Sequence, residues 1–250
     1  MNKSRQFIIG ILLLLVVWQL IVVIGQYEEA LFPSPIVVGK ALLTLMTTGE
    51  LWIHVKDSLF RFAVGYIAAA IPAIMLGLIL GRSERLWAVI DPVVQLLRPI
   101  SPVAWSPFIV LWFGIGNMPA IVIIFIAAFF PVLLTTVNGV RKIDDHYLKI
   151  AANLQFTRFH IVTKIIFPAT LPAIVNGLHL AVGTAWIFLV AGEMIGAQSG
   201  LGYLIVDARN TLDLDNVFAG IVVIGLLGFL LDRFITLVEY YMKKFSGYLI

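Results

Sequence analysis

The sequence predicts an all-α polytopic membrane protein with about six transmembrane helices. Hydrophobic residues make up 61% of the 250-residue chain and charged residues only 12%, whereas soluble domains carry about 25% charged residues. Apolar runs of about 17 to 25 residues, long enough to cross a bilayer, recur along the chain. The predicted spans are Phe7–Ile24, Leu59–Leu80, Ala88–Phe113, Pro119–Asn138, Leu171–Met194 and Val217–Val238. We expect residues 1–250 to form a single transmembrane domain.

The first span is predicted to be a retained helix. Lys3 and Arg5 precede its leucine run, as in a signal peptide, but the run exceeds the usual length of about 7 to 15 residues and ends without a small-x-small cleavage site. It is rich in leucine, isoleucine and valine and has no stripe of small residues. We therefore expect it to lie at the periphery and to face lipid.

Basic residues predict the orientation of the chain. If the N-terminus is cytoplasmic, most lysines and arginines fall inside, as cytoplasmic loops require. Those inside would be Lys3, Arg5, Arg82, Arg85, Arg141, Lys142, Lys149, Arg158, Lys164, Lys243 and Lys244, and those clearly outside Lys40, Lys56 and Arg209. Both termini are predicted to be cytoplasmic.

The stretch "LFPSPIVVGKALLTLMTTGELW" follows the first span. Its prolines can introduce a helix and Gly49 can end it, so it predicts an amphipathic helix along the outer surface. The sequence leaves open whether this is a plain surface helix or a partner site.

Small residues recur every four positions in two spans. The second span carries Gly65, Ala69, Ala73, Gly77 and Gly81, and the fifth carries Ala173, Gly177, Ala181 and Ala185. In lipid, such stripes allow the backbone of another helix to approach closely. We expect these two helices to be central to the bundle.

Several function classes lack their motifs. The only Gly-Lys pair, Gly39-Lys40, has Ser34 and Ala41 where a phosphate-binding loop needs glycine and a hydroxyl. The chain has no cysteine, its four histidines lack close metal spacing, and basic residues are not interleaved with aromatics on a soluble face. We therefore expect no catalytic residue, cofactor or metal on this chain and no nucleic-acid partner.

A basic, amphipathic segment at about residues 144–168 separates the fourth and fifth spans. It predicts a helical hairpin with one helix at Asp144–Leu154 and a second at Thr157–Phe167, and Pro168 and Pro172 are expected to stop the second before the fifth span. One face of that second helix gathers Phe159, Val162 and Ile165 or Ile166. Such a face suits either the lipid interface or a groove on a protein.

The spacing within this segment has a known counterpart. The residues concerned are Lys149, Ile150, Ala151, Gln155, Ile165, Phe167 and Pro168. They resemble the loop Glu-Ala-Ala-x3-Gly-x9-Ile-x-Leu-Pro of permease subunits of ATP-binding-cassette importers, with Lys149 in place of the acid, Ile150 in place of alanine and Gln155 in place of glycine. The stretches "LLRPISPVAWSPFIVLWFGIGN", "VAGEMIGAQSGLGYLI" and "LLGFLLDR" look like the nitrate, sulfonate and taurine branch, so the resemblance covers nearly the whole chain.

This resemblance implies the type I importer permease fold in a prokaryotic inner membrane. It implies a second permease chain, a pair of ATPase subunits that hold ATP and Mg²⁺, and an extracytoplasmic binding protein that delivers a small anion such as a sulfonate, taurine or nitrate. The residues expected to couple the permease to the ATPase are Lys149, Ile150, Ala151, Gln155, Phe159 and Pro168.

Two ionisable residues are candidates for the translocation path. Arg98 lies midway along the third span beside Pro99 and Pro102, where a broken helix can line a cavity; alternatively, Arg98 snorkels to the headgroups from an interfacial helix. Glu193, at the outer end of the fifth span, is either a gate or docking residue or a capped interfacial acid.

Two other classes of protein are also compatible with the sequence. A self-sufficient carrier or channel predicts internal repeats and buried coupling charges, and the sequence shows no clear repeat. A structural subunit of a membrane complex would share the composition but does not need a basic hairpin between spans.

Overall fold

The computed structural model describes residues 3–26, 28–29, 31–144, 146 and 156–245, without the side chains at positions 3, 4, 158 and 243–245. The regular structure of these residues is helical, without a strand, which confirms the all-α prediction. The α-helices are α1 Lys3–Gly25, α2 Pro35–Thr48, α3 Glu50–Arg82, α4 Glu84–Leu97, α5 Ser106–Phe113, α6 Asn117–Arg141, α7 Arg158–Ile161, α8 Phe167–Gly196, α9 Leu201–Asn210 and α10 Leu214–Phe245. A 3₁₀ turn covers Pro102–Trp105 and a π-helical turn covers Val162–Ile166.

Within the described residues, five helices are long and apolar enough to cross a membrane, and a sixth crossing is possible where two helices form a bent pair. The five lie at Arg5–Gly25, Glu50–Arg82, Asn117–Arg141, Phe159–Gly196 and Leu214–Met242. The prediction of about six spans is therefore confirmed. The third predicted span, Ala88–Phe113, is the bent pair rather than one straight helix.

The chain divides into two compact units. The first joins the described residues of Met1–Ser58 to Ser199–Leu226, and the second joins those of Leu59–Gln198 to Leu227–Ile250. Helices α3 and α10 each begin in the first unit and end in the second. A single domain over residues 1–250 stays a prediction.

In the first unit, α1 is exposed along most of its length, as its sequence predicts. One anchor is Trp18, whose indole N–H donates to the carbonyl of Pro33 at 3.2 Å and whose ring stacks on Phe218 with a centroid distance of 5.8 Å. The predicted helix after it is present as α2. Ser34 caps its start by accepting from the Val37 N–H, and Gly49 ends it with a φ of 85°, a conformation that favours glycine.

Short helix α9 starts on side chains from α3 in the same unit. The Gly200 N–H donates to Nδ1 of His54 at 3.0 Å, and the Leu201 N–H donates to the hydroxyl of Ser58 at 2.8 Å. Both acceptors are buried. They satisfy backbone donors that a helix N-terminus otherwise leaves unpaired.

The second unit is organised around α6, which was not the helix expected at the centre. The small-residue stripes of α3 and α8 both pack on it, so their predicted role in helix packing is confirmed. A β carbon at Gly77 would lie 2.6 Å from Cβ of Thr136, and one at Gly177 would lie 2.9 Å from Cβ of Thr135. Seven α6 side chains are 0% exposed: Ala120, Ile123, Ile124, Ala128, Val132, Thr136 and Val137. Opposite the glycines of the two stripes, α6 places β-branched side chains such as Ile124 and Thr135, and these fill the space that the stripes leave.

Candidate functional site

A sharp break in the chain places Arg98 between two helices. Helix α4 ends at Leu97, the 3₁₀ turn begins at Pro102, and the helices on either side are bent by 83°. Pro99 and Pro102 have no N–H to continue a helical ladder. The Arg98 N–H still reaches the carbonyl of Val94 at 2.9 Å, so the guanidinium is carried by the last turn of α4.

Two cavities share Arg98. The first has a volume of about 600 Å³ and polar walls that include Asp91, Gln95 and Asn138. The second has a volume of about 440 Å³ and is lined mainly by apolar residues of α6 and α8, with Ser101 and Thr184 among them. Arg98 itself is exposed. A cation therefore stands where a polar cavity adjoins a more apolar one.

This arrangement can attract an anion. A guanidinium presents a planar set of donors that matches carboxylate, sulfonate-like and nitrate-like oxygens. Asp91 lines the same polar cavity, and its carboxylate accepts from the Gln95 side-chain amide at 2.8 Å. The hydrogen bond holds this carboxylate toward Gln95, one turn before Arg98. No described residue forms an ion pair with Arg98 within 4.0 Å in the part of the chain that the structure shows.

Glu193 is enclosed rather than open to either cavity. Its Oε1 accepts from Nη1 of Arg61 at 2.7 Å, and both side chains are almost completely buried. The Nε–H of Arg61 donates to Oδ1 of Asn117 at 2.8 Å. This network ties α3, α6 and α8 together. A role for Glu193 in the path stays a prediction, since in this structure its carboxylate is occupied by Arg61.

Sequence reasoning did not single out Arg61. The signal was present, because Arg61 lies two residues inside the predicted span beginning at Leu59. An ionisable residue inside a membrane span calls for a partner, and the acids in the other predicted spans were Asp91, Glu193 and Asp232. The sequence alone does not choose among these three.

The predicted coupling residues are only partly visible. Lys149, Ile150, Ala151 and Gln155 lie outside the described residues, whereas Phe159 and Pro168 are described. The side chain of Phe159 is 73% exposed. Thr157 caps the segment as predicted, since its hydroxyl accepts from the His160 N–H at 3.3 Å.

The prediction that Pro168 and Pro172 stop this helix is wrong. The helix runs from Phe159 to Gly196 without a break. A proline inside a helix lacks an N–H and crowds the carbonyl four residues earlier. Here the turn before Pro168 widens to a π-helix, in which the Phe167 N–H bonds to the carbonyl of Val162, five residues back. Pro168 then falls in the first turn of α8, where no N–H is required.

Comparison with known proteins identifies the class. Residues 73–244 match the family described as the binding-protein-dependent transport system inner membrane component. The fold matches that of the permease chains in two solved structures of the MetNI methionine ABC transporter in inward-facing conformations. Their TM-scores are 0.55 and 0.57, with 21% and 20% identity, covering 77% and 78% of this chain and 95% and 97% of the other.

Curated relatives agree over nearly the whole chain. The putative aliphatic sulfonates transport permease protein SsuC of Bacillus subtilis (strain 168) is 36% identical, covering 98% of this chain and 90% of the relative. The taurine transport system permease protein TauC of Escherichia coli (strain K12) is 34% identical, covering 92% and 86%. The nitrate import permease protein NrtB of Synechocystis sp. (strain ATCC 27184 / PCC 6803 / Kazusa) is 33% identical, covering 92% and 86%.

The chain belongs to the family of inner-membrane permease components of binding-protein-dependent transport systems. It is a multi-pass membrane transport subunit of an ATP-binding-cassette importer. Membership of this family favours the importer over a self-sufficient carrier or a structural subunit.

Proposed function

We propose that two copies of this chain enclose the path of a small anion, that a pair of ATPase subunits drives them from the cytoplasm, and that an extracytoplasmic binding protein delivers the anion. The observation that carries the proposal is the exposed ring of Phe159 at the start of a helix that continues unbroken to Gly196. ATP and Mg²⁺ belong to the ATPase subunits in this proposal.

The proposed coupling to the ATPase depends on the stiffness of the helix that begins at Phe159. A large aromatic side chain that is 73% exposed suits insertion into a cleft on a partner, because buried aromatic anchors supply much of the energy of protein interfaces. The helix that carries Phe159 has no flexible linker before the bundle. Helix α8 also contacts α6 closely, since a β carbon at Gly139 would lie 2.5 Å from Cβ of Ala173. A displacement at Phe159 is therefore passed to α8 and α6 together.

We propose that Lys149, Ile150, Ala151 and Gln155 join Phe159 and Pro168 in this coupling segment. Residues 149–155 lie outside the described part of the chain. The support for their assignment is therefore the membership of this chain in the permease family. The orientation predicted from lysines and arginines places the segment and both termini in the cytoplasm. A reporter fused after Ile250 that reads as extracytoplasmic would contradict this orientation.

The experiment on coupling compares Phe159→Asp with the matched control Phe159→Leu. The aspartate would place a charge in the docking cleft, at a cost of a few kcal/mol, so solute uptake and co-purification of the ATPase should both be lost while the membrane level of the permease is unchanged. The leucine variant should retain most of both. Normal uptake and undiminished ATPase with Phe159→Asp would remove this side chain from the mechanism.

The assignment of an anion rests on Arg98 and on the relatives. Arg98 stands at the helix break between the two cavities, and relatives are named for sulfonates, taurine and nitrate. We expect Arg98→Gln to reduce uptake at least about tenfold, the effect of losing about 1.4 kcal/mol of anion stabilisation. Arg98→Lys should retain part of the uptake.

Uptake of radiolabelled taurine, an alkanesulfonate, nitrate and bicarbonate, each measured in cells that carry the intact transporter, provides the assay. The ATPase should still co-purify with the Arg98→Gln chain, which separates a defect of the path from a defect of coupling. Unchanged uptake of the transported anion in Arg98→Gln would place Arg98 at the lipid interface instead.

A further inference from the structure

A histidine between two carboxylates joins α8 to α10 inside the second unit. Nδ1 of His179 lies 2.9 Å from Oε2 of Glu239, and its Nε2 lies 3.1 Å from Oδ1 of Asp232. The side chains of His179, Glu239 and Asp232 are 30%, 18% and 59% exposed. Ionisable groups within membrane helices are costly and are commonly functional. This cluster takes no part in the path or the coupling segment described above.

We propose that His179, Asp232 and Glu239 form a proton-dependent clamp that fastens α10 to α8. A neutral imidazole has one N–H and one lone pair. Facing two carboxylates, it could donate to only one of them, and the lone pair would oppose an oxygen at 2.9 or 3.1 Å. Both contacts are hydrogen bonds only when the cluster holds one further proton.

The extra proton belongs on the ring. Free carboxyl groups of Asp and Glu lose their protons near pH 4, whereas a free imidazole does so near pH 6.5, so the imidazole is the stronger base of the three. In the resulting imidazolium, each ring nitrogen donates to one carboxylate. The two nitrogens point to different oxygens, so the three groups do not converge on one point, and the described residues show no group arranged to hold a metal ion.

Other charged groups nearby on α10 do not titrate in the relevant range. The guanidinium of Arg233 lies over the ring of Phe229, 5.0 Å from its centroid. Lys243 follows Glu239 by four residues, and its side chain lies outside those described. Arginine and lysine stay charged from pH 6 to 9. The charge of these side chains is therefore constant over this range and adds no pH dependence.

The helices packed on α8 add one titratable group. From α3, the hydroxyl of Tyr66 donates to the carbonyl of Leu178 at 2.8 Å, beside His179. As a donor in this hydrogen bond, Tyr66 is protonated. Helix α6 has no titratable side chain before Arg141 at its end. The pH dependence of this part of the bundle therefore resides in the clamp.

Loss of the proton has a mechanical consequence. One of the two contacts then changes from a hydrogen bond into a lone pair opposing a carboxylate, so the clamp keeps only one of its two hydrogen bonds between α10 and α8. His179 lies on the continuous helix that begins at Phe159. The state of the clamp therefore bears on the same rigid element that we propose for coupling, although its chemistry does not depend on that proposal.

The direct test is ¹⁵N NMR of the full chain labelled at histidine and reconstituted in lipid nanodiscs. The nitrogen shifts distinguish an imidazole with two N–H groups from one with a single N–H. At about pH 7.5, one unit above the ordinary histidine value, we expect His179 to carry both. Asp232→Asn and Glu239→Gln should each convert His179 to the singly protonated form.

Assignment uses His179→Gln or, if that variant fails to fold, a chain in which His54, His146 and His160 are glutamine and only His179 remains. A single N–H on His179 at this pH in the unaltered chain would overturn the proposal. Because the readout needs no ATPase and no solute, it can fail while the proposed transport function stands.

Thermal unfolding provides a second test. Just above the ordinary histidine value of about 6.5, the folded clamp holds a proton that the unfolded chain, with ordinary histidine, has lost. Raising the pH should therefore lower the unfolding temperature. His179→Lys carries a permanent cation at the same position and should flatten this dependence. An equal decline in both chains would show that the clamp does not contribute to the pH dependence.

Discussion

Replacing a glycine at the contact between α3 and α6 should separate these helices. A β carbon at Gly77 would lie 2.6 Å from Cβ and 2.7 Å from Cγ2 of Thr136, with the carbonyl oxygen of Leu133 at 3.2 Å. Carbon atoms pack best at about 3.5 to 4.0 Å. The two helices would therefore have to move apart by about 1 Å to admit even the first carbon of a leucine side chain.

The expected cost is large for a single substitution. Overpacking a close-fitting core usually costs about 1 to 3 kcal/mol, and Gly77→Leu adds four carbons at a contact that is too close for one. Gly177→Leu should behave alike, since a β carbon there would overlap the side chain of Thr135. Gly183→Leu is the matched control on α8, because a β carbon at that position meets no described atom within 4 Å.

The assay is the yield of monodisperse protein after extraction in mild detergent, together with the unfolding temperature. Gly77→Leu and Gly177→Leu should lose most of the yield or melt several degrees lower, whereas Gly183→Leu and Leu13→Ala on exposed α1 should stay near the unaltered chain. Equal yields and unfolding temperatures for all four variants would refute the view that the stripes are packing faces.

Three further substitutions test two buried polar contacts and the backbone conformation of one glycine. Arg61→Met removes the cationic partner of the buried Glu193 carboxylate and should destabilise the chain by about 3 to 5 kcal/mol. Thermal unfolding should show the double variant with Glu193→Gln to be more stable than Arg61→Met, and the reverse order would contradict the pairing. Ser58→Ala removes the acceptor for the Leu201 N–H and should cost about 1 kcal/mol, measured as faster hydrogen exchange in α9. Gly49→Ala should cost about 1 kcal/mol because φ is 85° there, and an unchanged unfolding temperature would contradict this.

The sequence predicted the helices well because membrane spans follow from local composition. The end of α2 at Gly49 and the packing role of the small-residue stripes also followed from local signals, and the structure contains both. The central position of α6 was missed, since it has no small-residue stripe of its own. Helix α6 is central because the small-residue stripes of α3 and α8 both face it. The sequence of a single segment does not show this arrangement.

The proline-rich parts of the chain were harder to predict. Pro99 and Pro102 do break the third span, whereas Pro168 and Pro172 were expected to end a helix and do not. The difference lies in which carbonyl groups accept the backbone hydrogen bonds near each proline. A π-helical turn moves the Phe167 N–H to the carbonyl of Val162, and this local rearrangement leaves no mark on the hydrophobic pattern.

The long-range ion pairs could not be predicted from the sequence, for a different reason. Arg61 and Glu193 are 132 positions apart, and His179 meets carboxylates 53 and 60 positions later. Only the packing of α3, α8 and α10 decides which charge meets which.

The central claim is that this chain works as a pair driven by a separate ATPase. Native mass spectrometry of the tagged chain, purified from its own membranes in mild detergent, tests it most directly. The account predicts one assembly that contains two copies of this chain and two copies of an ATPase subunit, and predicts that Phe159→Asp, but not Phe159→Leu, loses the ATPase. A chain that purifies without any ATPase, yet still carries solute when reconstituted alone into liposomes, would contradict it.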